Sequence, residues 1–477
     1  MANKLLIVGL ATDGPSNICF TPRNMRELIT LFGGEYRERF YLSPTASTLS
    51  LQYNAFKLPI NEVDSKKQYL FAPALDQTYS NILYFGTLGG SSTHTVDIVY
   101  APYLGQKDLI TAAKRFFDIT GQIPSVLRLG GAAATLSVSG WVFESKYAGY
   151  RYNNLGLYSN GTNFVQVFGL EPNYQTNSYT YSSVEKLTGD IERNYHLGIS
   201  PIVCTSAGTG MIPSGTYWFS GGSDGTFSDS DFTNMLDIES PPISCTHILV
   251  LSEITSSMVE GVYTYHASSQ QPRMFIIPSV SYEVTGTADE YITQLNTQLP
   301  YRHDMISAVV GNITTNYEGE ILTRYAAEAA AIAFSRSGYY NFTNLPVVAS
   351  TFTPVLNESD LNTLKSNGFV SLMRYIGNNI AVYQGVNLYN EHSFLYSSKV
   401  AEISSIVYEY CFQFYGLTMG DGPKPDMAAT MTGLLSTVQF LEIQSVDVFK
   451  ETETLHVKVN ALLPDEILEI SFAIENR

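Results

Sequence analysis

Ile248-Leu249-Val250-Leu251 and Met274-Phe275-Ile276-Ile277 decide the fold class of this chain. Each is an unbroken apolar run of strand length, with no polar residue spaced to leave one side in water, so each suits a strand covered on both faces. Helix-patterned text follows, including an alanine-rich helix expected from about Ile321 to Phe334. Strands alternating with helices in this way build an α/β core, a mixed sheet with helices on its faces. Leu5 to Leu10 has the same character and is closed by Asp13-Gly14-Pro15, a turn signal.

Around these strands the helices are marked by their ends. One is expected after Thr21 as N-cap and Pro22 in the first turn, with Met25, Leu28, Ile29 and Phe32 on one face and Gly33-Gly34 as the stop. Asp108 to Phe117 reads as a helix, and Val126 to Leu129 as a strand running into Gly130-Gly131. Asn357 caps a helix carrying Leu361 and Leu364 and closed by Asn367-Gly368, and Ile380 to Tyr383 is a strand. Lys399 to Tyr415 and Asp426 to Leu441 are amphipathic helices, the second with Met427, Met431, Leu434, Leu435, Val438 and Leu441 on one stripe.

Two stretches break this rhythm. From Tyr36 to about Tyr103 the text is β-like, as in Ile82 to Phe85 and Thr95 to Tyr100, with Gly89-Gly90-Ser91-Ser92 between them. From Leu136 to Gly215 short strands, turns and Asn/Gly/Ser clusters dominate. The expected organisation is therefore multi-domain: a discontinuous α/β core over 1–35, 105–135 and 216–454, an inserted β segment over 36–104, and a small β-rich domain over 136–215.

The end of the chain, 455–477, differs again. Leu455, Val457 and Val459 alternate with polar residues, and after Pro464-Asp465 so do Leu468, Ile470, Phe472 and Ile474. Both segments read as strands with one face exposed. Such a pair either completes its own sheet or joins the sheet edge of another chain.

Composition describes a packed protein: 44% hydrophobic, 13% aromatic, only 15% charged. The 33 Tyr and 25 Phe sit among Thr, Ser, Asn and Gly, which favours strands and turns. With 44 acidic against 27 basic residues the net charge is −17, and no stretch concentrates Lys and Arg into a basic groove, which excludes nucleic acid as a partner. Cys19, Cys204, Cys245 and Cys411 are far apart and form no ligand pattern with histidine, so they read as buried, reduced thiols of a protein made in the cytoplasm. The N-terminal apolar run is too brief for a signal peptide, and no stretch approaches the roughly 20 apolar residues that cross a bilayer. No membrane insertion is expected, and Asn160 and Asn312 are chance glycosylation matches.

Signatures of chemistry are missing. There is no GxxxxGK[ST], GxGxxG after a strand, HExxH or GxSxG. Ser206 to Gly210 reads as a surface turn. Gly221-Gly222-Ser223-Asp224-Gly225, followed by Asp229, Asp231, Asp237 and Glu239, lacks calcium-loop spacing and reads as a turn and helix start capped by Ser228 or Asp229. Glu318 with Glu320, and Glu402 with Glu409, read as solvated carboxylates, and His266 and His303, with no visible partner, as hydrogen-bonded or exposed histidines. No catalytic residue, metal ligand or cofactor is expected, and the chain is not read as an enzyme.

The order of the pieces resembles the contractile phage tail sheath family over almost the whole chain. Pro22 to Gly34 is similar to the family's helix ending in a Phe-Gly pair, and Ala113 to Arg128 to its helix, turn and strand ending in Arg. Phe219 to Glu239 resembles the family's most recognisable internal motif. Ala326 to Arg336, Leu356 to Leu372, Ile380 to Gly385 and Val446 to Ile474 resemble later elements in the family's order. The resemblance implies a virion protein whose copies form hexameric rings stacked in a helix around a tail tube, with the tube protein, baseplate and tail terminator as further partners. It implies no nucleotide, only a metastable lattice that rearranges by rigid bodies. It also implies that Leu455, Val457, Val459, Leu468, Ile470, Phe472 and Ile474 form an arm for pairing between subunits. Deleting 455–477 is then expected to block polymerisation and spare most of the fold. The chain departs from the family in two places: Leu5 leaves little room for an N-terminal arm, and 36–104 lengthens the region after the first helix, as an addition facing outward. Rival readings are a baseplate or terminator subunit, or a glycan-binding or glycan-hydrolysing virion protein.

Overall fold

Continuous apolar runs at the front and middle of the chain become the strands Lys4–Gly9 (β1), Cys19–Phe20 (β2), Ser125–Arg128 (β3), Cys245–Val250 (β4), Met274–Pro278 (β5), Ile306–Val309 (β6) and Phe369–Val370 (β7) of one sheet. In this computed structural model the order is β2-β3-β1-β4-β5-β6-β7, parallel throughout except that β2 runs antiparallel to β3. The structure describes residues 4–32 and 105–475, apart from 12, 150–151, 154, 169–175, 238–244, 268–270, 283–285, 318–319, 337–341, 376, 378, 390–391, 412–425, 453 and 465. Between 33 and 104 it describes only the backbone of short antiparallel strands, the longest being Ile82–Gly86 paired with Thr93–Asp97. The expected outward orientation of that segment lies outside the described residues.

Alternate residues of the sheet enter two separate cores, which is why its strands carry no polar face. Leu5, Ile7, Leu249 and Ile276 pack on one side with the helices Met25–Phe32 (α1) and Leu109–Thr120 (α2). Leu6, Val8, Val250 and Ile277 pack on the other with Asp229–Asp237 (α3), Ser256–Ala267 (α4), Ala288–Gln298 (α5) and, through Leu364, Glu358–Ser366 (α7). The first side also takes Ala326–Arg336 (α6), Phe394–Tyr410 (α8) and Met427–Leu435 (α9). The mixed α/β class is thus observed, with several further sheets.

Caps explain most helix starts. The Asn357 side chain accepts from the Asp360 N–H at 2.9 Å, as expected, and that of Asp108 accepts from the Ile110 N–H at 3.0 Å, a cap not assigned from the sequence. The first helix starts later than Thr21-Pro22 implies. Asn24 Oδ1 takes the Glu27 N–H at 2.9 Å, while Thr21 Oγ1 is 2.9 Å from Ser125 Oγ. The alanine-rich helix expected from Ile321 is also corrected: Glu320–Tyr325 is a strand paired antiparallel with Asn312–Tyr317, and the helix begins at Ala326. The expected helices at Lys399–Tyr415 and Asp426–Leu441 are observed as Phe394–Tyr410 and Met427–Leu435.

Between β3 and α3 lies a unit with its own core around Trp141, Phe143, Tyr152 and Leu157. Its sheets are Ala133–Val138, Trp141–Ala148 and Ile202–Ser206, and Asn177–Thr180, Phe164–Phe168, Gly156–Ser159 and Gly215–Trp218. It also contains a helix the sequence reading did not place, Val184–His196, which buries Leu187 and Ile191.

On β4, His247 is buried, with Thr246 Oγ1 2.9 Å from its Nδ1 and Ser398 Oγ 3.4 Å from its Nε2. Burial, with help from the charge of Lys399, pushes its pKa from 6.5 down to about 4. A depressed folded value means the contribution is whole above pH 6.5 and is lost as the pH falls toward about 4, roughly 3 kcal/mol in all. Denaturation midpoints should therefore drop between pH 6.5 and 5, and His247→Asn should make that drop shallower; equal slopes would refute the assignment.

Candidate assembly surface

Three strands end the chain: Glu442–Glu451 (β8), Thr454–Leu462 (β9) and Ile467–Glu475 (β10), antiparallel in the order β8-β9-β10. Alternation sets what each face does. Leu455, Val457, Val459, Leu468, Phe472 and Ile474 are buried, and Ile470 is half-buried against the same core. The register places Leu455 opposite Ile474, Val457 opposite Phe472 and Val459 opposite Ile470. This inner face shares a core with α8 and α9, and the Phe472 ring meets Tyr408 edge-on at 6.1 Å.

All seven residues singled out in the sequence are therefore brought together, on the inner face of the chain's own sheet. The expectation that removing 455–477 would spare the fold is overturned by this burial. Strand β8 was not recognised as a full strand, because Gln444 and Ser445 interrupt its alternation where a bulge shifts the register between Ile443 and Ser445.

The far edge of β10 has no strand partner among the described residues. Its bonding pattern follows from the turn. The N–H of Leu463 donates to Glu466 O at 2.8 Å, and that of Glu466 to Leu463 O at 3.4 Å, so these two form a hydrogen-bonded pair. Pairs then alternate along an unbroken ladder. Leu468, Ile470, Phe472 and Ile474 bond back to β9, whereas Ile467, Glu469, Ser471 and Ala473 direct their main-chain groups to the free edge. A long, regular, unbulged edge is a template for another strand. The opposite edge, β8, is broken by its bulge.

The turn before β10 is latched to the core. Glu466 Oε1 is 2.7 Å from His392 Nδ1, and Glu466 Oε2 accepts from Ser393 Oγ at 2.8 Å at the start of α8. Ser393 in turn caps that helix through the Tyr396 N–H at 3.0 Å.

Elsewhere several of the residues weighed for chemistry have structural partners, while Glu239, Glu318 and the Glu320 side chain lie outside the described residues. In open parallel α/β sheets ligands enter at the carboxyl ends of the strands where the order reverses, here between β1 and β4. Protein fills that place: a Cβ on Gly9 would lie 2.8 Å from Lys107 O and 3.0 Å from Leu251, and the Leu10 N–H donates to Lys107 O at 3.0 Å. Nearby, Glu328 accepts from Arg324 Nε at 2.8 Å and from Arg115, all three buried, while Arg324 Nη2 reaches Asp108 O at 2.7 Å. Burial pushes the Glu328 carboxyl up, but the two guanidiniums outweigh it and hold its pKa below the usual value. The Ser206–Gly210 turn covers Trp141, whose Nε1 donates to Gly210 O at 2.9 Å. Ser228 and Asp231 cap α3 reciprocally, with the Asp231 N–H 3.2 Å from Ser228 Oγ and the Ser228 N–H 3.1 Å from Asp231 Oδ2. Glu402 pairs with Lys399. His266 and His303, expected to be hydrogen-bonded or exposed, face each other with Nδ1 3.4 Å from Nε2. Among the described residues no cluster of His, Cys, Asp and Glu is arranged to hold a metal ion.

A mostly parallel core sheet, a separate β unit between its strands and a terminal three-stranded sheet docked by its inner face make up a fold similar to that of solved tail sheath proteins. No protein-family model matches the chain, and no curated protein does. Among solved structures it is similar to a sheath tail protein from Listeria innocua, at 11% identity over 100% of this chain and 96% of that one, with a TM-score of 0.56. It is also similar to a sheath tail protein from Desulfitobacterium hafniense, at 11% identity over 99% and 96%, with a TM-score of 0.51.

Proposed function

We propose that this chain is the structural subunit of a contractile tail sheath. Copies polymerise as stacked hexameric rings around a tail tube and shorten to drive the tube through a host envelope, without cofactor or catalysis. Its partners are further copies of itself, the tube protein, and the baseplate and terminator proteins, and its place is the virion. The observation that carries this reading is the end-to-end likeness in fold to sheath tail proteins; the free β10 edge gives the polymer a joint. In this reading 36–104 and 136–215 are additions on the core, and 455–477 is the joint. Leu455, Val457, Val459, Leu468, Ile470, Phe472 and Ile474 seat the strands, and the main chain of β10 pairs with a neighbour.

Electron microscopy of the purified protein tests this. Long tubes of uniform width are expected. Discrete rings or particles that never elongate would instead favour a baseplate or terminator subunit.

A further inference from the structure

The glycine-rich motif at Gly221–Gly225 helps carry the sheath resemblance, which assigns it no role, and its surroundings give it a purpose. The chain leaves the core sheet after Arg128 and returns to it through this motif on its way to α3. The outgoing and returning segments pair as a short antiparallel ladder. Ala132 and Ser223 exchange N–H···O bonds of 3.0 Å in both directions, and Thr135 and Ser220 exchange bonds of 2.8 and 2.9 Å. Asn153 grips the motif from the β unit, accepting from the Gly222 N–H at 2.8 Å and donating to Gly222 O at 2.9 Å.

The approach is close enough to dictate glycine. A Cβ on Gly225, whose φ is +86°, would lie 2.1 Å from the main-chain nitrogen of Gly131, and one on Gly222 would lie 2.5 Å from Gly149 O. Two buried side chains then bridge from core to β unit. Arg128 Nη1 donates to Gly14 O at 2.9 Å on the core side and to Ala148 O at 2.8 Å on the β-unit side. Tyr152 of the β unit donates to Asp13 Oδ1 at 2.6 Å. Burial lowers the Arg128 pKa, and the nearby carboxylates of Asp224 and Asp13 offset part of that cost.

We infer that this crossing is a weld and not a hinge: Arg128 and the Gly-Gly-Ser-Asp-Gly segment lock the 132–222 unit to the core, so the two move as one body. Paired connectors, buried bridging hydrogen bonds and glycines packed main chain to main chain leave no segment free to absorb a change in φ and ψ. The consequence for contraction rests on the sheath reading: rearrangement between copies is then taken up at the joints between subunits and not inside this pair of units. The weld itself does not depend on that reading.

Hydrogen exchange on the full chain tests it. In the wild-type protein the amides of Ala132, Thr135, Ser220 and Ser223 should exchange in the slowest class, together with those of β4. Arg128→Met should speed the four by on the order of 100-fold while β4 stays slow. Wild-type exchange at the rate of exposed turns would mean a hinge and overturn the inference, and it would do so even if the variant failed to fold. A folded Arg128→Met chain with unchanged exchange would overturn the part assigned to Arg128. Neither outcome bears on whether the protein forms tubes, so the weld and the sheath reading fail separately.

Discussion

Glu328→Leu should lower the unfolding free energy by about 3–5 kcal/mol, although leucine is as good a helix former as glutamate and the site is fully buried. The side chain is the shared acceptor of Arg324, at the end of the hairpin strand Glu320–Tyr325, and of Arg115 on α2. Removing it leaves two guanidiniums out of water without the carboxylate they share, which costs far more than leucine's added apolar area returns. Arg115 also donates to Val348 O at 3.1 Å, so the loss spreads through α2, α6 and the loop carrying Val348. Urea unfolding with an unchanged slope would measure the effect. Replacing all three charges with apolar residues should recover part of it, because the penalty belongs to the unpaired cations. A Glu328→Leu chain within about 1 kcal/mol of wild type would show that water or another carboxylate already answers these cations.

How much of this was legible depended on distance along the chain. The strands β1, β4 and β5 were readable because a strand covered on both faces writes itself as a continuous apolar run. The cap at Asn357 was readable because an N-cap acts on an N–H only two or three residues away. Tyr325 was misassigned with its neighbours because the alanine run begins next to it, and helix propensity carries no sign of a hairpin partner at Asn312. One partner of His266, His303, lies 37 residues on, and Arg115 and Glu328 are separated by 213. No local pattern marks such pairs. The terminal strands were the intermediate case: alternation disclosed which residues share a face, but not that α8 and α9 wait to cover it.

That cover separates folding from assembly at the end of the chain. Deleting 455–477 removes eight side chains buried in the main core, seven of them Leu, Val, Ile or Phe worth roughly 1.5–3 kcal/mol each, a sum that matches or exceeds the about 5–15 kcal/mol of net stability of a folded protein. The truncated chain should therefore lose cooperative unfolding altogether, and its failure to polymerise would say nothing about joints. Ser471→Pro and Ala473→Pro ask the better question. Both side chains lie on the outer face, and both N–H groups point to the free edge, so proline there breaks no bond to β9 and empties no core position. Thermal unfolding should stay within a few degrees of wild type, while tubes should fail to form because an added strand loses two donors in the middle of its ladder. Tubes of normal length from the double variant would place the joint elsewhere. Collapse of its thermal transition would mean that the turn at Leu463 and Glu466 does not set the alternation of bonds along β10.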